Sequence, residues 1–246
     1  MTQQAIGARA RSDAGARLYV GTAYLVAALI FVGFAPSYYL KGLINAPPPL
    51  SALTMAHGVM FTAWTLLFVV QASLIGAGRP RLHRQLGMAG AMLFGGMVVL
   101  GLSTAITAAQ LGHVPPASPE PLRFMALPVM GMIALAFLVG LALTLRARRD
   151  HHQRLMLAAF IMIAQPAIGR MFVPAGVPEW QAMGSFLVVE AILAAVIVLD
   201  WRDQRRVHPA WLVSAGTLAA MHVLVAWAFT GPALWMDFAA WLTRSA

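Results

Sequence analysis

Arg146-Ala147-Arg148-Arg149-Asp150-His151-His152-Gln153-Arg154 separates two long apolar runs, 122–146 and 153–173. Working outward, five further apolar runs lie at 17–40, 51–76, 85–111, 180–200 and 209–230. Each is close to the ~20 apolar residues that cross a ~30 Å hydrocarbon layer. Basic clusters recur at every second gap: Arg9, Arg11 and Arg17 before the first run, Arg79, Arg81 and Arg84 between the second and third, and Arg202, Arg205 and Arg206 between the sixth and seventh. The other gaps and the C-terminal end hold only Lys41, Arg123, Arg170 and Arg244. Thirteen basic residues against four is the positive-inside asymmetry of an all-α bundle of seven transmembrane helices, with a cytoplasmic N-terminus and the C-terminus outside.

Composition points the same way. A 246-residue chain that is 60% hydrophobic and 10% charged has too much apolar surface for one soluble core. Its net charge of +9 resides mostly in the arginine gaps, which makes it a topology signal and a contact with anionic lipid headgroups, with no nucleic-acid partner implied. There is no cysteine, so disulfides, thiolate metal sites and cysteine nucleophiles are excluded. Sixteen of the seventeen basic residues are arginine, the bias of a GC-rich bacterial genome, and the expected location is the bacterial inner membrane. The first apolar run is longer than a signal-peptide core and lacks a small-x-small cleavage site, so it reads as helix one.

No soluble domain is inserted, and residues 1–246 read as a single transmembrane domain. Asn45-Ala46-Pro47-Pro48-Pro49 predicts an extended cap, and 112–121 a proline-dense external loop. Pro128 and Pro166 fall inside the fourth and fifth helices, where each removes a backbone donor and predicts a kink. The tail from Pro232 carries Trp235, Phe238 and Trp241 at helical spacing and predicts a short interfacial helix. Arg79–Ala89 and Arg148–Ala158 echo one another, each placing basic residues and His at the start of a helix. Shared positive-inside punctuation explains the echo as well as duplication does.

Ionisable groups in hydrocarbon cost roughly 2.5–3.5 kcal/mol on insertion scales, so those inside the runs are candidate functional groups. They are His57 in helix two, Glu190 in helix six and His222 in helix seven, joined by the amides Gln71 and Gln165. At ~1.5 Å per residue from the cytoplasmic ends, Gln165 and His222 lie ~20 Å deep and Glu190 ~15 Å. The three are expected to meet as a polar cluster, either as inter-helix glue or as a proton relay.

The remaining histidines suggest a second chemistry. A b-type haem needs two His from facing helices and apolar walls, and Gly87, Gly90, Gly95, Gly96 and Gly101 thin one side of helix three enough to make room. The stretch His57-Gly58-Val59-Met60, Trp64, Gln71, Leu82-His83-Arg84 and Leu86-Gly87, followed by His152-Gln153-Arg154-Leu155-Met156 and Arg170, resembles an uncharacterised family of bacterial multi-pass membrane proteins over roughly residues 50–175. It is more distantly similar to the cytochrome b561 core. That likeness implies an electron-transfer protein binding haem b, with His83 and His152 as an inner ligand pair and His57 with His113 as an outer one. Arg84 and Arg154 would offset the haem propionates, and a quinone or other membrane-complex subunits would be partners beside the lipid bilayer. The chain departs from the pattern in two places, since His113 lies in a loop and the fourth run has no His. His222 is the substitute outer ligand.

Rivals are limited by residue type. A microbial rhodopsin needs a lysine in helix seven, and the only lysine is Lys41. A zinc hydrolase needs a convergent three-His constellation, whereas His151 and His152 are consecutive and point apart on a helix. The alternative to electron transfer is a cofactor-free accessory subunit of a membrane complex or a small transporter, with Glu190 and His222 as its proton relay.

Overall fold

A computed structural model gives the architecture and describes residues 3–44, 49–115 and 117–244. Every regular element among them is helical. Helix α1 (Gln3–Phe34) runs into a π-helical turn over Ala35–Tyr39 and a short α2 (Lys41–Ile44). Helices α3 (Ala52–Gly76) and α4 (Pro80–Gln110) form a hairpin whose turn is closed by Gly78 at φ +68°. The fourth span joins α5 (Pro121–Phe124) to α6 (Ala126–Thr144), and the fifth joins α7 (Arg149–Met162) to α8 (Gln165–Met171). A 3₁₀ turn at Pro178–Trp180 leads into α9 (Gln181–Gln204), followed by α10 (Pro209–Phe229) and the tail helix α11 (Ala233–Arg244).

Seven segments are long and apolar enough to cross a membrane, and the chain is a multi-pass membrane protein. The expected cap at Asn45–Pro49 lies, apart from Pro49, outside the described residues. We call the side carrying the arginine clusters the arginine face and the other the opposite face.

Prolines set the segment boundaries. Pro80, Pro121, Pro166 and Pro209 each fall in the first turn of a helix, where the missing N–H has no intrahelical acceptor anyway. Pro128 is the third residue of α6 and also lies in a first turn, so the fourth span is interrupted earlier than its proline suggested, at Met125. The fifth span is broken at Ile163 and Ala164, just ahead of Pro166, and the Met162 carbonyl loses the donor it would have had four residues on.

The broken fifth span is the hub of the bundle. In its most apolar window 72% of residues are buried, against 44% or less in the other six. Phe160 of α7 meets Trp64 and Phe68 of α3, the Phe68 ring stacking at 3.9 Å between centroids. Hydroxyls inside the spans turn back on their own helices, as Thr65 does to the Phe61 carbonyl at 2.8 Å and Ser214 to the Ala210 carbonyl at 2.8 Å. Large apolar side chains cover the outside, with Met88, Met92 and Val99 of α4 more than 60% exposed, a surface suited to lipid. The tail helix buries Trp235 and Ala239 against the bundle, with the Trp235 indole donating to the Leu122 carbonyl at 2.8 Å, and turns Leu234 and Trp241 outward.

Close approach of α1 to α8 requires Gly33. A Cβ there would collide with the Ala167 backbone carbonyl, which cannot move aside as a side chain could. Gly33→Val is therefore expected to destabilise by about 1–3 kcal/mol through overpacking. Thermal unfolding in detergent checks this against Gly21→Ala, whose added methyl meets open space. Equal melting temperatures for the two variants would sink the contact.

Candidate functional site

The fifth span's break, α9 and α10 bring Gln165, Glu190 and His222 together. His222 Nδ1 lies 2.6 Å from Glu190 Oε1, and its Nε2 lies 3.4 Å from Gln165 Oε1. Phe186, one turn before Glu190, stacks on the imidazole at 4.0 Å between centroids and 9° between planes, which fixes the ring's orientation. The Glu190 side chain keeps 44% of its surface exposed at the α9–α10 seam, while that of His222 keeps 8%. In hydrocarbon a half-exposed carboxylate must be protonated or paired, and the 2.6 Å contact is short enough for a charge-assisted bond.

The third member is incompletely satisfied. Gln165 Nε2 is buried without a hydrogen-bond partner. Turning the amide over would give Nε2 to His222 and orphan Oε1 instead, so one amide atom is left over in either orientation. Gln165 itself opens α8 at the helix break, where Pro166 leaves the Met162 carbonyl without its helical donor. A polar triad with spare hydrogen-bonding capacity at a discontinuous helix can pass a proton between Glu190 and His222 and hold a small polar ligand against Gln165.

A second network lies on the arginine face. Arg154, at the start of the fifth span, donates through Nε and Nη2 to both oxygens of Asp200 at 2.9 Å each, and through Nη1 to the Asp150 carbonyl at 2.9 Å. The Trp211 indole donates to Asp200 Oδ2 at 2.8 Å. Arg154 and Asp200 are both buried. Arg154, read from sequence as a propionate partner, is thus committed within the protein, while Arg84 is exposed. Next to the network, burial together with the charges of Arg154 and His151 holds His208 below the ordinary imidazole range, with Asp150 and Asp200 opposing. A neutral ring keeps a lone pair for capping, and Nδ1 closes the start of α10 by accepting from the Ala210 N–H at 3.1 Å. Asp200 and Trp211 were missed from sequence, although a carboxylate closing the sixth run stands at the depth of an arginine opening the fifth.

The haem ligand pattern is assembled only in part. His83 of α4 and His152 of α7 approach with ring centroids 6.3 Å apart and planes at 82°. The two rings meet edge to face, and no group of three or more metal-ligating side chains is assembled among the described residues. His152 Nδ1 donates to the Ala142 carbonyl at 2.8 Å, which leaves Nε2 as the lone-pair nitrogen, and His83 Nδ1 is buried without a partner.

The outer pair does not form. His57 stacks on Phe61 at 4.2 Å and lies against the Leu100 backbone, whereas His113 is exposed beyond the end of α4. Ten residues of α4 separate Leu100 from Gln110, about 15 Å. His222 cannot replace His113, because both of its ring nitrogens face Glu190 or Gln165.

The room expected for a macrocycle is also taken. Added Cβ atoms at Gly90, Gly96 and Gly101 would meet Leu67, Met60 and Met132 at 3.3, 3.1 and 2.9 Å, and one at Gly87 would touch Gln71 at 3.5 Å. These glycines admit α3 and α6 side chains, and only Gly95 of the five faces open space. A haem does not fit this arrangement. No protein-family model, curated protein or solved structure matches the chain.

Proposed function

We propose that the chain is a small proton-carrying transport protein of the bacterial inner membrane, with Glu190 and His222 as its proton relay. The observation that carries this reading is the 2.6 Å contact between Glu190 Oε1 and His222 Nδ1 within the membrane, beside the break in the fifth span. A proton on His222 Nδ1 can pass directly to Glu190 Oε1 and back. Gln165 supports the far edge of the imidazole. Discontinuous spans with polar groups at mid-depth are the usual place for coupling-ion and substrate sites in transporters.

The test is proton entry into liposomes containing purified protein, driven by a potassium diffusion potential and followed with an internal pH dye. The expected result is entry well above that of protein-free liposomes. Equal rates would overturn the reading. A Soret band on the purified protein would favour electron transfer through His83 and His152 instead.

A further inference from the structure

The start of α10 depends on one imidazole. Pro209 opens the helix and has no N–H to satisfy. The Trp211 N–H donates to the His208 carbonyl at 2.9 Å, and the Ala210 N–H donates to His208 Nδ1 at 3.1 Å. Ala210 is only 2% exposed, so water cannot stand in for the imidazole there. Accepting at Nδ1 requires a lone pair, which only the neutral ring has. Protonation turns that nitrogen into a donor facing a donor and strands a buried N–H.

The surroundings of the ring also disfavour a charge. His208 is buried, and His151 of α7 meets it edge to face with ring centroids 4.5 Å apart. Cations on both rings would repel at that distance. Arg154 of α7 opposes a proton on His208 as well, while Asp150 of α7 and Asp200 of α9 favour one. Asp200 is already held by Arg154 at 2.9 Å, and Asp150 keeps 71% of its side chain exposed, where water screens it. Arg205 and Arg206, just before His208 in the chain, are exposed.

We infer that His208 and His151 form a proton-sensitive latch on the arginine face: neutral His208 caps α10 beside α7, and acid at this face releases the first turn of α10. The latch does not rest on the proton relay, since His222 lies fourteen residues farther along α10, about 21 Å away. Burial, with Arg154 and His151, makes the folded protein take up this proton less readily than the unfolded chain, whose imidazole titrates near 6.5. The stability it contributes is full above that pH and declines as pH falls below it.

The test is amide hydrogen exchange over residues 209–214 of purified protein in neutral detergent, at pH 7.5 and pH 5.5, corrected for the intrinsic exchange rate. Thermal unfolding is measured alongside. In wild type the segment is expected to open about 5-fold more often at the lower pH, the scale of a lost helix cap. Its melting temperature should fall about 2–4 °C further than that of His208→Asn, in which the cap acceptor does not titrate. His208→Asn should also keep its protection over 209–214 in acid. His113→Asn, at an exposed histidine beyond the end of α4, should retain both wild-type responses. Should His208→Asn fail to fold, His208→Ser carries the same comparison. Protection over 209–214 that acid leaves unchanged in wild type, or that is lost equally in a folded Asn or Ser variant, overturns the latch.

Discussion

Asp200→Ala is expected to destabilise the protein by about 3–5 kcal/mol, the scale for removing one partner of a buried ion pair. The carboxylate receives three donors, two from Arg154 and one from Trp211, at 2.8–2.9 Å. Alanine leaves Nε and Nη2 of a buried guanidinium and a buried indole N–H with nothing to accept from them, while Nη1 keeps the Asp150 carbonyl. Most of the loss is that desolvation penalty rather than the worth of the bonds, and companion variants separate the two. Trp211→Phe removes one donor and leaves the pair intact, so it should cost only about 1–3 kcal/mol. The double replacement Arg154→Met with Asp200→Leu removes both charges and should be milder than Asp200→Ala alone. Unfolding of the four proteins in one detergent decides the matter. An Asp200→Ala protein as stable as wild type, or a double variant worse than the single, would sink the account.

The network also shows where sequence reasoning reached its limit. Arginine punctuation gave the seven spans, because crossing hydrocarbon imposes a length and a charge rule on each segment separately. Rise per residue put Gln165, Glu190 and His222 at similar depth, and the structure brings them into one cluster. Depth is local arithmetic, but neighbourhood is not. Nothing in the apolar runs states that α7 lies against both α9 and α10, and without that Arg154 has no visible partner in Asp200.

The glycines of α4 illustrate the same gap. A thin helix side is equally readable as room for a ligand or as a seat for a neighbouring helix, and only the positions of Leu67, Met60 and Met132 decide between them. The histidines depended on it too. His83 and His152 converge because α4 and α7 both begin at the arginine face, whereas His57 and His113 are separated by the remaining length of α4.

Glu190→Gln and Glu190→Leu are expected to abolish potential-driven proton entry alike, at least ~10-fold below wild type, while differing in stability. Neither side chain can take up and release a proton, so the relay stops at His222 in both. The amide of glutamine still offers an acceptor to His222 Nδ1, now 2.6 Å from Glu190 Oε1, and its loss in stability should stay under about 1 kcal/mol. Leucine removes the carboxyl from the α9–α10 seam, which lipid favours, but leaves Nδ1 facing an apolar side chain in a cluster where Gln165 Nε2 already lacks a partner. A net loss of about 1–3 kcal/mol follows. The glutamine protein is the decisive one, because it separates folding from proton carriage. If it melts like wild type and still carries protons at the wild-type rate, Glu190 is inter-helix glue and the relay lies elsewhere. If it melts like wild type and entry is lost, the carboxyl is needed for the proton rather than for the packing of α9 on α10.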